Sequence, residues 1–380
     1  MESIATMRIL GEKKAPTKCR CFSLEFLLLF NFSRLNNTGF PMSQIVTQNE
    51  NKKLISYSKK DKKWDNRKRE NQELQQIFYT AVYREFERYG KFKKYPERLL
   101  ACAMTLWFSQ HAHLETGEAI FKLAGAEFCR IRHCPVCQSR LSMKWIAKFH
   151  QIMPKLEIEH PKTQFLLLTL TVPNCKVENL RETIQKMNTA WNRMANRAFF
   201  KKQILGYIRA TEVNMNPENK TAHPHFHVLL HVSDRYFDGR NYIKRDDWLK
   251  HWQDATRDES ITQVDIRKVR ESKKKTKAEN LVSGALEVVK YATKHDNIAQ
   301  DAKWFMEYAL QVDRLRFMAT GGTLKNLIAD LDSDDLIHIE EDGMTDAELS
   351  KDDGYRMAFG WDEKRNYRRA QKLDKVENLE

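Results

Sequence analysis

The sequence lacks an apolar run long enough to cross a membrane. The apolar-rich stretch at residues 22–32 is interrupted by Ser23, Glu25 and Asn31, and it is much shorter than the roughly 20 residues that a transmembrane helix requires. A convincing secretory signal is missing as well. These absences argue against membrane and exported proteins, and we predict a cytoplasmic protein without a membrane partner.

Internal repeats and a regular βαβ alternation are also missing. Hydrophobic residues make up 41% and charged residues 31% of the 380 residues, which is typical of a folded globular protein. Strand-like and helix-like segments follow one another irregularly, which argues against a repeat protein and a parallel α/β fold. We therefore predict an α+β fold in which helices flank an antiparallel sheet.

Hydrophobic periodicity divides the chain into helices and strands. Apolar residues at three- and four-residue spacing predict helices, and short apolar runs bounded by turn residues predict strands. The predicted helices cover residues 71–89, 141–153, 179–200, 246–256, 281–294 and 302–318. The predicted strands cover residues 165–172, 206–213, 226–232 and 261–269, and a hairpin joins the middle two.

Changes in composition divide the chain into regions. The predicted regions are a disordered extension or misplaced gene start at residues 1–41, a helical region at 42–125, a cysteine-rich zinc-binding segment with a helix at 126–160, the main domain at 161–325, and an acidic and charged tail at 326–380.

Basic residues are in excess and are unevenly distributed. The 65 Lys and Arg residues outnumber the 51 Asp and Glu residues, which gives a net charge of +14. One basic run is as readily a solvated face as a DNA contact, but the sum favours a polyanionic partner whose binding depends on salt. The lysines that we predict to contact DNA are Lys273, Lys274, Lys275 and Lys290.

The histidines His223, His225 and His227 alternate with Pro224 and Phe226 at the start of an apolar strand. Side chains two residues apart on a strand share a face, so His225 and His227 can bind one metal ion. We expect Pro224 to precede the strand, which leaves His223 as a possible additional metal or substrate contact.

A glutamate on the preceding strand can complete this site. If the two strands form a hairpin, the carboxylate of Glu212 can face the histidines and add an oxygen ligand. A mixed site of this kind suits Mg²⁺ or Mn²⁺ and leaves open positions for phosphate. The bland alternative is a pair of ordinary strand histidines.

The helix at residues 281–294 carries a second group of polar residues. Glu287 and Tyr291 share one face because they are four residues apart, and Lys294 follows. A phenol has a pKa of about 10, so a nucleophilic tyrosine needs a nearby cation such as Lys294. On this segment alone, an ordinary helix with an exposed tyrosine is the simpler interpretation.

The seven cysteines include a cluster with metal-ligand spacing. Cys134 and Cys137 are separated by two intervening residues in the manner of zinc ligands, and Cys129 adds a third thiolate. In a reduced cytosolic chain, structural zinc is favoured over a disulfide framework. Cys102 is the best fourth ligand, and the alternatives are His111, His113 and His133.

Four motifs in this order resemble the Rep_1 family of rolling-circle plasmid replication initiators, which belong to the HUH endonucleases. Residues 165–174 resemble the first motif, residues 223–230 the His-hydrophobe-His motif, and residues 287–294 the tyrosine motif. Residues 129–145 are similar to the cysteine-rich block of many members.

The resemblance implies a five-stranded antiparallel sheet and a catalytic domain at residues 161–325. It implies metal-dependent nicking at the double-strand origin of a plasmid, where the DNA is single-stranded or extruded as a hairpin. Tyr291 would attack a phosphate, remain joined to the 5′ end and free a 3′-OH for a host polymerase that works with a host helicase. Glu287 would activate water at termination.

Two alternatives explain part of the pattern. A transposase or relaxase of the HUH type would share the metal and tyrosine chemistry. A zinc-dependent DNA-binding regulator without catalysis would explain the charge and the cysteines, but it would leave the His225 and Tyr291 motifs as coincidences. Covalent attachment of the protein to DNA distinguishes the enzymes from the regulator.

Overall fold

The computed structural model describes residues 61–112, 119–162, 164–269, 272–274, 276–293, 301–329, 356–364 and 366–373. For residues 61, 112, 119–122, 278, 289–293, 356 and 368–373 it describes the backbone alone. The expected extension at residues 1–41 and the acidic run at residues 330–353 lie outside the described residues.

The described residues form a mixed arrangement of helices and strands. The helices are α1 (Asp61–Arg84), α2 (Phe86–Tyr89), α3 (Tyr95–Ala101), α4 (Pro135–Glu159), α5 (Leu180–Ala195), α6 (Ala198–Gln203), α7 (Arg245–Thr256), α8 (Lys277–Thr293), α9 (Ala302–Val312) and α10 (Gly322–Ala329). The strands are β1 (Thr105–Ala112), β2 (Ala119–Ala126), β3 (Gln164–Thr171), β4 (Ile204–Met215), β5 (Ala222–Val232), β6 (Val264–Lys268), β7 (Met318–Gly321), β8 (Arg356–Asp362) and β9 (Asn366–Leu373).

Five strands form one antiparallel sheet in the order β6-β3-β5-β4-β7. This confirms the prediction of an α+β fold with a five-stranded antiparallel sheet. The predicted hairpin is also confirmed, since β4 pairs with β5. In its turn, the backbone N–H of Asn216 donates to the carbonyl of Thr221 over 2.8 Å, and Lys220 adopts a left-handed conformation with φ of 55°.

Helices cover both faces of this sheet. On one face, Trp191 of α5 and Trp248 and Trp252 of α7 pack on Phe226 and its neighbours in β5. On the other face, α4, α8 and α10 pack against apolar residues of the three central strands, which are Phe165, Leu167, Ile208, Ala210 and Leu229. Because alternate residues of each strand point to opposite faces, both sides of the central strands are apolar.

A second sheet corrects the predictions for both ends of the chain. It contains four antiparallel strands in the order β2-β1-β8-β9. The region at residues 42–125 is therefore not only helical, and the described part of the tail at residues 326–380 contains the β8–β9 hairpin. Local periodicity could not indicate this sheet because Thr105 pairs with Gly360, far along the chain.

Three helix boundaries also differ from the predictions. Helix α4 continues through Pro154, which is exposed, and buried Met153 and Leu156 hold the helix on either side. The single helix expected at residues 179–200 is divided at Asn196 and Arg197 between α5 and α6. Helix α9 ends at Val312 rather than at residue 318. Met318 instead begins β7, which is an edge strand beside β4.

In the described part of the chain, no helix is both long and apolar enough to cross a bilayer.

Candidate active site

Glu212, His225 and His227 meet on one face of the five-stranded sheet. Glu212 on β4 lies opposite His225 on β5, and His227 lies two residues further along the same face. Oε2 of Glu212 is 2.8 Å from Nε2 of His225 and 2.7 Å from Nε2 of His227. Their candidate ligand atoms all lie within 4.8 Å of one another, so these three side chains can hold one metal ion.

The hydrogen bonds of His225 suit a cation at this point. Its Nδ1 is 3.2 Å from the carbonyl oxygen of His223 and can donate a proton to it. Neutral His225 then has a lone pair on Nε2, which faces the carboxylate of Glu212. Two acceptors at this distance need a cation or an additional proton between them, and a backbone carbonyl is a common partner for the second nitrogen of a metal-binding histidine.

The electrostatics of the three groups agree with this geometry. Burial raises the pKa of the Glu212 carboxyl, but the hydrogen bonds with His225 and His227 outweigh burial and lower the pKa to about 2. Burial lowers the pKa of His227 below its ordinary value, against the influence of Glu212. Glu212 is thus an anion and His227 favours its neutral form, which are the states that bind metal.

The strand begins earlier than the sequence analysis expected. Strand β5 starts at Ala222, so Pro224 and His223 both lie within it. Pro224 is tolerated because β3 ends at Thr171, which pairs with His225, so Pro224 lies beyond the paired part of β3. His223 lies beside His225, with ring centroids 5.1 Å apart, but it is not part of the three-residue group.

Helix α8 runs over the same face of the sheet toward the histidines. At Gly284, a Cβ atom would lie 2.9 Å from both Cγ atoms of Val269, so the helix is pressed closely onto the residue that follows β6. One turn later, the carboxylate of Glu287 forms an ion pair with Arg267 on β6. A helical turn advances about 5.4 Å and two strand residues advance about 6.6 Å, so one turn of α8 covers about the same length as two residues of β6.

Glu287 is close enough to His227 to influence it electrostatically. Its negative charge favours the protonated imidazole, although burial of His227 has the larger effect and lowers the pKa. Arg267 pairs with Leu167 on β3, and His227 pairs with Thr169 two residues further along that strand. The next turn of α8 after Glu287 contains position 291, whose side chain lies outside the described residues.

The four predicted cysteines come together at the start of α4. Sγ of Cys102 is 3.6 Å from Sγ of Cys134 and 3.7 Å from Sγ of Cys137, and Sγ of Cys129 is 3.5 Å from Sγ of Cys137. Thiolates on a tetrahedral zinc ion with bonds of about 2.3 Å lie about 3.8 Å apart. The spacing therefore fits zinc, and the choice of Cys102 agrees with the structure.

The surroundings of this cluster favour negative charge. Lys68 is completely buried, and its ammonium donates to the carbonyl oxygens of Leu100 and Cys102. Burial lowers the pKa of Lys68 to about 8, while the neighbouring Cys102, Cys134 and Cys129 act in the opposite direction. The backbone N–H of Arg130 donates to Sγ of Cys137 over 3.3 Å.

The alternative histidine ligands lie elsewhere or outside the described residues. His133 packs among aromatic rings, with its ring centroid 5.2 Å from that of Phe305. Nε2 of His111 lies 2.8 Å from Oγ of Ser109 on β1. His113 lies outside the described residues. In the described part of the chain, only the four cysteines form this group.

The predicted lysines are only partly described. Lys273 and Lys274 are exposed in the turn before α8. Lys275 and Lys294 lie outside the described residues, as do the side chains of Lys290 and Tyr291.

Sequence reasoning missed three residues that touch these sites. Oγ1 of Thr169 lies 3.3 Å from Nδ1 of His227. The presence of a polar residue in an otherwise apolar strand could have indicated that Thr169 belongs to the site. Arg267 had no role assigned from the sequence, and its pairing with Glu287 depends on tertiary structure. Lys68 lies in another basic run, and nothing local distinguishes it from its exposed neighbours.

The chain was compared with known proteins. A sequence model of the Rep_1 family, described as "Replication protein", matches residues 120–368. A "Protein rep" of Streptococcus pneumoniae serotype 2 is 31% identical over 331 residues, which cover 84% of this chain and 96% of that protein. A "Protein rep" of Bacillus amyloliquefaciens is 35% identical over 279 residues, covering 66% of this chain and 78% of that protein.

No solved structure matches the chain. The family match includes the Glu212 site and three of the four cysteines of the cluster. The match with the Streptococcus pneumoniae protein covers nearly the full length of that protein. The chain therefore belongs to the Rep_1 family of replication proteins.

Proposed function

We propose that this protein is a plasmid replication initiator that nicks one DNA strand at the double-strand origin. The observation that carries the proposal is the convergence of Glu212, His225 and His227 on the sheet face along which α8 runs. Membership of a replication protein family supports it. We infer that the five-stranded sheet with flanking helices is an HUH-type catalytic domain.

The three side chains fit a divalent cation such as Mg²⁺ or Mn²⁺. A cation bound there would neutralise charge on the scissile phosphate and leave coordination positions open to it. The lone pair on Nε2 of His225 and the carboxylate of Glu212 already converge on one point. Thr169 at Nδ1 of His227 helps to orient that ring.

In the proposed reaction, Tyr291 is the nucleophile. Its phenol loses a proton, the oxygen forms a bond to phosphorus, and the bond from phosphorus to the 3′ oxygen breaks. The 5′ phosphate remains on the tyrosine, and the 3′ oxygen takes up a proton to become a 3′-OH for a host polymerase. The advance of α8 from Gly284 to Glu287 along the sheet supports this role, because position 291 is one turn closer to the histidines.

Lys294 and Glu287 have supporting roles in this proposal. The charge of Lys294 favours the phenolate of Tyr291. Glu287 activates water at termination, when the second strand transfer must end in hydrolysis. The ion pair with Arg267 holds the Glu287 carboxylate on the side of α8 that meets β6.

The cysteine cluster has a structural role in this proposal. Cys102, Cys129, Cys134 and Cys137 would hold Zn²⁺ and join the segment before β1 to the start of α4. The buried cation of Lys68 would offset part of the negative charge of four thiolates. Because the cluster already has four ligands, it leaves no open position for a substrate.

The proposed partner is plasmid origin DNA, single-stranded or extruded as a hairpin, and a host helicase and polymerase would act on the nicked product. Exposed Lys273 and Lys274 are suited to contact the DNA backbone, together with Lys275 and Lys290.

The proposal is tested with supercoiled plasmid and 5′- or 3′-labelled single-stranded origin oligonucleotides, in Mg²⁺, Mn²⁺ or EDTA. We expect a metal-dependent nick that traps the 3′ label on the wild-type protein and releases the 5′ label on a fragment with a free 3′-OH. Tyr291→Phe should abolish trapping, and His227→Ala should abolish nicking. Tyr79→Phe is the matched control, because Tyr79 is an exposed tyrosine on α1.

Three outcomes would change the proposal. If the wild type binds origin DNA but neither nicks nor traps it, a zinc-dependent DNA-binding regulator is the better interpretation. If nicking and trapping occur but the protein also joins unrelated ends efficiently, a transposase or relaxase is favoured. Full termination by Glu287→Gln would remove the assignment of Glu287.

A further inference from the structure

A cleft of about 750 Å³ lies between the cysteine cluster, α4 and β7. Five of its lining residues are basic: Arg130, Arg132, Arg140, Lys144 and Arg316. Among its lining residues in the described part of the chain, none is acidic. The cleft therefore has one sign of charge and is complementary to a polyanion.

The basic side chains of the cleft fall into two groups. Arg132 is held by the carbonyl of Leu315 and lies over the ring of Phe317, 4.3 Å from its centroid, and Arg140 lies over the ring of Phe128, 5.2 Å from its centroid. Arg130, Lys144 and Arg316 are instead exposed, and within the described residues they form no ion pair. The exposed group can bind phosphates without breaking internal contacts.

Aromatic rings accompany the cations. Trp145 on α4 and Phe128, which precedes the cysteine cluster, are half-buried and both line the cleft. Proteins that bind single-stranded nucleic acids combine cations along the backbone with rings on which bases stack. In a duplex the base faces are covered by stacking, and a recessed ring cannot reach the base edges of a groove.

The cleft adjoins the Glu212 site through the register of β7. Met318 lines the cleft and pairs with Ala210, which lies opposite His227. The backbone N–H of Thr211 donates to the carbonyl of Phe317 over 2.8 Å and continues this register. From this hydrogen bond, Arg316 is the chain neighbour of Phe317, and Glu212 is the chain neighbour of Thr211.

We propose that this cleft binds the single-stranded DNA segment adjacent to the phosphate that is cut at the Glu212 site. Arg316 and Lys144 contact its phosphates, and Trp145 stacks with a base. The inference rests on the proposed nicking function for the identity of the strand, but the binding itself needs no metal and no reaction. The bound DNA strand would run along β7 and the first turns of α4.

Binding is tested by fluorescence anisotropy without added Mg²⁺ or Mn²⁺, with an oligonucleotide of about ten nucleotides. Lys144→Glu/Arg316→Glu should weaken binding at least tenfold and reduce the slope of log Kd against log salt by about 1.4. The control Lys155→Glu/Lys202→Glu makes the same change of charge on exposed lysines outside the cleft and should stay within about twofold of wild type.

Trp145→Leu retains apolar bulk and should weaken binding roughly tenfold without changing the salt slope. Equal affinity of the cleft variant and the control would overturn the proposal, and so would equal losses for single-stranded and duplex DNA. If the wild type fails to nick but binding depends on the cleft, the cleft stands and the nuclease fails. If nicking occurs and the cleft variants bind and nick normally, the nuclease proposal stands and the cleft proposal fails.

Discussion

Nε2 of His227 lies 2.7 Å from Oε2 of Glu212, although 15 positions separate the two residues along the chain. The contact crosses the β4–β5 hairpin, and it depends on strand pairing rather than on sequence proximity. A shift of the register by one residue would turn Glu212 to the opposite face of the sheet. The hairpin register therefore decides whether this site exists.

The low pKa of Glu212 predicts that the metal-free protein loses stability in acid. Its carboxyl has a pKa of about 2 in the folded chain, against 4.5 as an ordinary value. The stabilisation of about 3 kcal/mol is complete above the unfolded pKa and is lost as the pH falls toward the folded pKa. Thermal unfolding in EDTA at a series of pH values measures it.

Glu212→Gln should remove this part of the acid dependence, because an amide does not titrate. Glu218→Gln is the control, since Glu218 is exposed in the same hairpin. If wild type and Glu212→Gln decline in parallel between pH 4.5 and 2, Glu212 does not carry the effect.

Loss of one cluster cysteine should release zinc. We expect zinc to copurify with the wild type and to be lost from Cys134→Ser, which should also unfold at a lower temperature because Cys134 is completely buried among the other thiols. Elemental analysis and thermal unfolding measure the two effects. Cys175→Ser is the control, because Cys175 is a free cysteine outside the cluster. Retained zinc in Cys134→Ser would contradict the four-thiolate site.

Replacement of Lys68 should weaken the same region through two mechanisms. Lys68→Met leaves the carbonyls of Leu100 and Cys102 without their donor, which costs about 1–3 kcal/mol for each buried group. It also removes the cation beside the thiolates, so zinc should transfer faster to a chromogenic chelator. Lys62→Met on the exposed side of α1 should change neither quantity. Unchanged unfolding by denaturant would contradict the role of Lys68.

The close approach of α8 to Val269 predicts a coupled pair of substitutions. Gly284→Ala should destabilise the protein by about 1–3 kcal/mol, because the added Cβ overlaps the Val269 methyl groups and outweighs a helix propensity gain of about 1 kcal/mol. It should also reduce nicking, since α8 carries Glu287 and position 291. Denaturant unfolding and the nicking assay measure these effects.

The contact itself is tested by a double-mutant cycle with Val269→Ala. Removal of the Val269 methyl groups should relieve the overlap, so the two substitutions should couple by at least about 1 kcal/mol. Ser283→Ala, one position earlier on α8, should show no coupling with Val269→Ala. Additive effects for Gly284 and Val269 would show that α8 moves aside freely.

The sequence by itself determined the features that arise within one element. Strand alternation put His225 and His227 on one face, and the spacing of Cys134 and Cys137 indicated a metal ligand pair. The turn residues between β4 and β5 indicated the hairpin, and helical periodicity indicated α8. Each of these follows from the fixed geometry of a strand, a turn or a helix, which local sequence controls.

Only the tertiary structure decided which elements meet. The pairing of Thr105 with Gly360 formed a sheet that no local pattern indicated, and Cys102 joined the cluster from 27 positions before Cys129. The ion pair of Arg267 with Glu287 and the cleft beside β7 likewise depend on distant segments. Long-range pairing is selected by burial and register across the whole chain, so residue spacing within one segment carries no trace of it.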